Sequence, residues 1–174
     1  MEVLREILKL VLPAAAVLLA SFFLVNRFLE SDQKKREYEL KKTSQSIITP
    51  LKLQAYERIV IFLERIDPNS LVVRVNKHGM SAHQLHQELI RAIKSEYEHN
   101  LSQQIYISHS AWELVKNAKE EIIKAINISS TKVAHDSSSN ELAMIILNLV
   151  ANLDKKMPNQ IALDFTKKEI AQLF

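Results

Sequence analysis

Two histidines, His83 and His86, stand three residues apart in a segment with helical periodicity, so their imidazoles share one helix face. Two imidazoles at this spacing can bind a metal ion when a third ligand comes from elsewhere in the chain. His78 lies in the preceding turn, but no HExxH motif, paired CxxC motif or carboxylate cluster completes such a site. The pattern is typical of a polar helix face, and we predict no metal or cofactor. A metal-binding or enzymatic module that uses His83 and His86 is an alternative.

The other polar residues form no catalytic pattern. Ser108, His109 and Ser110 are adjacent, whereas a catalytic serine and histidine meet in space and not in sequence. Four glutamates have the spacing of the solvated edge of amphipathic helices: Glu57, Glu64, Glu96 and Glu98. A chain with a single glycine contains no Walker loop and no GxGxxG motif. We therefore expect a protein without catalytic activity.

An apolar segment near the N-terminus, Ile7–Leu29, carries no charge between Lys9 and Arg27. Its uncharged part extends over roughly 26 Å as a helix, close to the thickness of a hydrocarbon core, and the two flanking side chains can carry their charges to the interfaces. No small-x-small cleavage site follows it. We predict an uncleaved transmembrane anchor over residues 1–29. A buried core helix and a cleaved signal peptide are the alternatives.

Basic residues near the anchor indicate its orientation. The N-terminal flank has Arg5 and Lys9, whereas the C-terminal flank is richer: Arg27, Lys34, Lys35, Arg36, Lys41 and Lys42. The positive-inside rule then places the N-terminus outside and the C-terminal domain in the cytoplasm, at an inner membrane. The absence of cysteine agrees with that compartment. The residues expected at the membrane interface are Lys9, Arg27, Lys34, Lys35 and Arg36.

After the anchor, residues 30–48 are polar on every face and are predicted to be a juxtamembrane helix or linker that forms a stalk. Thr49-Pro50 is typical of a helix start. Residues 49–174 are predicted to be a small helical bundle, because one glycine and four prolines leave few sharp turns. The fold class is therefore all-α. Whether residues 71–75 and 103–107 pair as short strands is left open.

Apolar stripes and capping residues place the helices of this bundle. Leu51–Ile66 has two adjoining stripes, which include Leu53 and Leu63, and is expected to be the central helix. Capping signals begin later helices at Ser81, Ser108 and Ser138, the first and last as capping boxes, with a polar loop from Asn127 to Ser139. Pro158 opens a last amphipathic helix to Phe174.

The ends of the chain and its charge bear on partners. We predict that the last helix docks a protein partner, with Leu173 and Phe174 as possible interface residues, and the alternative is that it packs back onto the bundle. The net charge is only +3, from 23 basic and 20 acidic residues, so no nucleic-acid partner is expected. The bilayer and a protein at the inner membrane are the predicted partners.

Four segments, together with the N-terminal anchor, carry a resemblance: KLQAYERIVIFLERI, SEYEHNLSQQIYIS, AWELVKNAKEEII and LDFTKKEIAQLF. They resemble a family of uncharacterised single-pass bacterial inner-membrane proteins with a cytoplasmic helical domain. The resemblance implies this architecture and setting and no activity. The leading hypothesis is a membrane-tethered adaptor, scaffold or accessory subunit of an inner-membrane complex. A homo-oligomeric stalk protein is a second alternative.

Overall fold

A computed structural model describes the backbone of residues 2–173, and the side chains of all of these except residues 4–6, 8, 10–14 and 173. Within it the protein is all-α, as predicted. Its helices are α1 (Glu2–Arg65), α2 (Pro68–Val75), α3 (Ala82–Asn100), a 3₁₀ helix (Leu101–Ile105), α4 (His109–Ser130), α5 (Ser139–Ala151) and α6 (Pro158–Leu173). The chain divides into two compact units, Met1–Thr49 and Pro50–Phe174.

The first unit consists of α1 residues, and its described side chains are mostly exposed. Arg36 pairs with Asp32 one turn earlier, at 3.0 Å. Among the described residues, none of the helices combines the length and the apolar character that a membrane crossing requires. Several residues of the predicted anchor, including 10–14, have side chains outside the described set. The transmembrane helix therefore stays a prediction.

Helix α1 continues through Pro50, where the sequence predicted a new helix start. A proline inside a helix removes one backbone hydrogen bond and crowds the preceding turn. Good helix formers follow Pro50, namely Leu51, Lys52, Leu53 and Gln54, and the helix is kept. The predicted helix start at Thr49-Pro50 is wrong, because the same two residues can also lie within an uninterrupted helix.

Residues 71–75 and 103–107 form no strands. Leu71–Val75 lies in α2, whose start is set by Pro68 in the first turn and by the Asp67 carboxylate, which accepts a hydrogen bond from the Asn69 amide at 3.0 Å. The other segment falls largely in the 3₁₀ helix. Helix caps therefore override the β-branched composition of LVVRV, since strand propensity depends strongly on context.

The core of the second unit forms between one face of α1 and the helices that follow. The α1 residues in this core are Ala55, Tyr56, Ile59, Phe62, Leu63 and Ile66. Helix α4 packs on α3, α5 and α6, and its Val115, Ala118 and Ile122 are fully buried. Leu51 and Leu53, the first residues of the two predicted stripes, are exposed, so the buried face of α1 starts one turn later than the sequence indicated.

Polar contacts fix the ends of these helices. Glu96 of α3 accepts a hydrogen bond from Arg65 Nε at 2.7 Å, and Arg74 NH2 donates to the Arg65 carbonyl at 3.1 Å, which joins α1, α2 and α3. The Asn159 side-chain amide at the start of α6 donates to the Leu63 carbonyl at 3.4 Å and to Asp67 at 3.0 Å. The bundle is thus closed by its last helix.

Candidate functional site

The start of α3 is a polar region in which side-chain and backbone hydrogen bonds fix the local structure. Ser81 Oγ accepts a hydrogen bond from the Gln84 amide at 3.2 Å, and the Gln84 side chain accepts one from the Ser81 amide at 2.9 Å. These two bonds form the predicted capping box. They fix the first turn of α3, and with it the orientation of His83 and His86.

The connection between α4 and α5, residues 131–138, folds against this helix start. The Ala82 amide donates to the Ser137 carbonyl at 2.8 Å, and the Ser139 amide donates to the Met80 carbonyl at 3.1 Å. Ser81 and Ser138 thereby form an isolated antiparallel bridge. The bridge carries His135 onto His83, and their rings stack with centroids 3.9 Å apart and planes at 30°.

A cleft of ≈ 200 Å³ opens between these elements. Its lining is Ala82, His83, His86, Ser130, Val133, Ala134 and His135. We name it the histidine cleft. His86 Nε2 lies 2.8 Å from Asn127 Oδ1, so this ring nitrogen carries the proton. The side-chain Nε2 of Gln87 donates a hydrogen bond to His83 Nε2 at 2.9 Å. In the neutral form of His83 the ring hydrogen is therefore on Nδ1.

The histidine cleft places both predicted histidines beside a third one that the sequence did not single out. His135 follows His83 by 52 positions and stands in a polar loop, where periodicity gives no information about tertiary contacts. The hydrogen bonds to Asn127 and Gln87 engage one nitrogen of each predicted histidine. Within the described residues, no three His, Cys, Asp or Glu side chains are arranged to hold a metal ion.

A second pocket, of ≈ 330 Å³, lies between the start of α4 and the end of α6. Its lining is Ser108, Ser110, Phe165, Lys168, Glu169 and Gln172. Burial raises the pKa of the nearby Tyr56 above its ordinary value, and the negative charge of Glu169 raises this pKa further, against a lowering contribution from the Ser108 backbone. Glu169 Oε2 is buried and has no hydrogen-bond partner among the described residues.

The remaining predicted site residues do not converge on either pocket. Lys9, Arg27, Lys34 and Lys35 are exposed on α1, and Arg36 is exposed beside Asp32. Their role at a membrane interface stays a prediction. The side chain of Leu173 and the whole of Phe174 lie outside the described residues, so the interface predicted there also stays a prediction.

Helix α6 follows the alternative interpretation and packs back onto the bundle. Its contacts are mainly with α4. Asn159, Ala162 and Thr166 are buried on the side that faces the core, and Leu163, Phe165 and Ile170 pack at its edge. The face of α6 that was expected to bind a partner is thus largely occupied, because its apolar residues complete the core.

The fold and these sites define an all-helical protein with polar clefts at its helix ends. The chain belongs to DUF7935, a family of unknown function whose sequence model matches residues 2–173. This membership agrees with the predicted resemblance to an uncharacterised family and does not bear on a membrane setting. Comparison with curated proteins finds no match, and comparison with solved structures finds none either.

Proposed function

We propose that this protein is a membrane-tethered helical adaptor that binds another protein at the same membrane and has no catalytic activity. The observation that carries the proposal is the exposure of apolar side chains in α1 between residues 17 and 29. The exposed residues there include Val17, Leu18, Leu19, Phe22, Phe23, Leu24, Val25, Phe28 and Leu29.

The distribution of these side chains favours lipid as their environment. Consecutive residues of a helix are about 100° apart, so Leu18 and Leu19, or Phe23 and Leu24, project from different faces. Leu18 is 71% exposed and Phe23 is 70% exposed. A helix that packs on a protein exposes apolar residues on one stripe, whereas a helix in a bilayer has them all round. Arg27 and Glu30 are the first charged residues after the apolar run, and they mark the expected end of the segment inside the bilayer.

An adaptor role fits the chemistry of the second unit better than catalysis. Its charged side chains form ion pairs at the surface, such as Lys116 with Glu113 at 2.9 Å and Lys156 with Asp164 at 2.7 Å. A tether also favours binding to a partner, because confinement on one membrane raises the effective concentration of both proteins. A surface of the second unit that binds a partner weakly in solution can therefore bind it effectively when both proteins are held on the same membrane.

The tether is tested by substitution within the apolar segment. Replacing both Leu18 and Phe22 with arginine adds two charges, each of which costs about 2.5 to 3.5 kcal/mol at the centre of a membrane helix. We expect the wild-type chain to stay with membranes through an alkaline carbonate wash and the double variant to be released. The matched control replaces Leu40 and Ile47, which are exposed on the same helix, with arginine and should stay bound.

Two results would contradict the tether: release of the wild-type chain by the wash, or retention of the Leu18→Arg, Phe22→Arg variant. The adaptor role is tested by purification of the full chain from its native membrane in mild detergent. We expect a stoichiometric protein partner, lost when the tether is removed. Recovery of the chain alone, from membranes that retain it, would count against a partner.

A further inference from the structure

The histidine cleft contains a feature that the adaptor role does not require. The connection of residues 131–138 is held on the start of α3 by two backbone hydrogen bonds and by one ring stack. The stack joins two histidines, and histidine is the residue type used most often as a pH switch in proteins. A contact between two such groups is stable in one protonation state and unfavourable in another.

We propose that the His83–His135 stack is a pH-sensitive latch. It holds residues 131–138 on the start of α3 while the imidazoles are neutral, and it releases them when both rings are protonated. Two imidazolium rings at a centroid distance of 3.9 Å repel each other, whereas two neutral rings attract by stacking. The latch therefore opens as the pH falls.

The position of His83 adds to this effect. His83 is the second residue of α3, where the helix dipole produces a positive potential. A positive charge is unfavourable at that end of a helix. When His83 is protonated, its Nε2 carries a hydrogen and can no longer accept one. The hydrogen bond from the side-chain amide of Gln87 is then lost.

Within the described part of the chain, the carboxylates near the stack in sequence form no ion pair with either ring. The third titratable group that lines the cleft is His86, which is also a potential cation, and the α4 end contributes the neutral Asn127 and Ser130. Residues 131–138 contain Lys132 and Asp136, and the first turn of α5 contains Glu141, all exposed. No histidine forms an ion pair with a carboxylate among the residues the structure describes.

Release would uncover the Ala82 and Ser139 amides, which are the donors of the two bridge hydrogen bonds. Their hydrogen exchange therefore reports the latch directly. The Trp112 amide, which donates to the Ser108 carbonyl at 3.0 Å at the start of α4, is a reference at a helix start without stacked histidines.

The experiment measures hydrogen–deuterium exchange of the full-length chain in mild detergent at pH 8 and pH 5, with labelling times scaled to equal intrinsic exchange. We expect the opening constant at Ala82 and Ser139 to rise about tenfold at pH 5, with Trp112 unchanged. His135→Phe keeps an aromatic ring that does not titrate, and His83→Phe does the same on α3. His83→Phe should remove the pH dependence, and His135→Phe should reduce it to the part that His83 contributes alone.

His109→Gln, at an exposed histidine on α4, is the control and should retain the full pH dependence. The latch would be refuted by equal opening of the wild-type chain at both pH values. It would also be refuted if His135→Phe and His83→Phe opened at pH 5 as the wild-type chain does. Since the two variants alter different elements, one that misfolds leaves the other to decide.

Discussion

Tyr56 is a buried residue whose acid–base chemistry the fold changes. Burial disfavours the charged phenolate, and the negative charge of Glu169 disfavours it further, so the pKa of Tyr56 lies above its ordinary value. An unfolded tyrosine ionises at its ordinary pKa of about 10. The contribution of Tyr56 to stability is therefore complete below that pH and is lost as the pH rises through the higher pKa of the folded state.

Glu169→Gln should lower the pKa of Tyr56, because the variant removes the nearby negative charge. The measurement is an alkaline titration of tyrosinate absorbance, with Tyr56→Phe used to identify the contribution of Tyr56. Glu64→Gln removes an exposed carboxylate and is the control, with no expected change in that titration. An unchanged or higher Tyr56 pKa in Glu169→Gln would mean that Glu169 does not act on the phenol.

Single residues were predictable from sequence where a local rule governs them. Ser81 and Ser108 are helix caps as predicted, because a hydroxyl before a helix accepts a bond from an amide two or three residues later. His83 and His86 lie on one face of α3, because residues three apart in a helix point to the same side. His135 and the Tyr56–Glu169 pair were not predictable, since their contacts join distant parts of the chain.

At the scale of an element, the buried face of α1 decides how the bundle forms. Leu63 is fully buried, whereas Leu53, on the same helix, is 46% exposed. The periodicity of apolar residues predicted which face of α1 is buried, but it placed the start of that face one turn too early. The reason is physical: a stripe in the sequence shows which residues can face a core, and the neighbouring helices determine how far the core extends.

The two leucines give a matched pair for mutation. Leu63→Ala should destabilise the protein by about 2–5 kcal/mol, because it removes buried methyl groups and leaves a cavity. Leu53→Ala should change stability by about 0.5 kcal/mol or less, as is usual for surface positions. Both are measured by denaturant unfolding of the full chain in mild detergent. Similar losses for the two variants would contradict the assigned face.

Elements were predicted well where caps and periodicity agreed and poorly where one signal stood alone. Helices α3 and α4 carry both signals. The segment LVVRV carried only a β-branched composition, and it forms α2 because Asp67 and Pro68 favour a helix start. Ser138 caps α5 through the Asn140 amide, but the full capping box expected with Glu141 is not formed.

At the scale of the whole molecule, the sequence predicts an orientation. Basic residues are more numerous after the apolar segment than before it, which favours a cytoplasmic C-terminus for a single membrane helix. A reporter enzyme that is active only outside the cytoplasm should therefore be silent when it is fused after Phe174. A reporter active only in the cytoplasm, fused at the same point, is the positive control. Strong activity of the first fusion would reverse the orientation.

The hydrogen bonds from Asn159 to Leu63 and Asp67 join residues 96 and 92 positions apart, and this has a consequence for synthesis. A ribosome adds about 5–20 residues per second, so the α1 face with Phe62 and Leu63 emerges roughly 5–20 s before its α6 partner exists. Throughout that interval the part of the α1 surface that α6 covers is exposed on the nascent chain. Chaperone occupancy during translation is therefore expected to begin near Ala55 and to end when α6 leaves the exit tunnel.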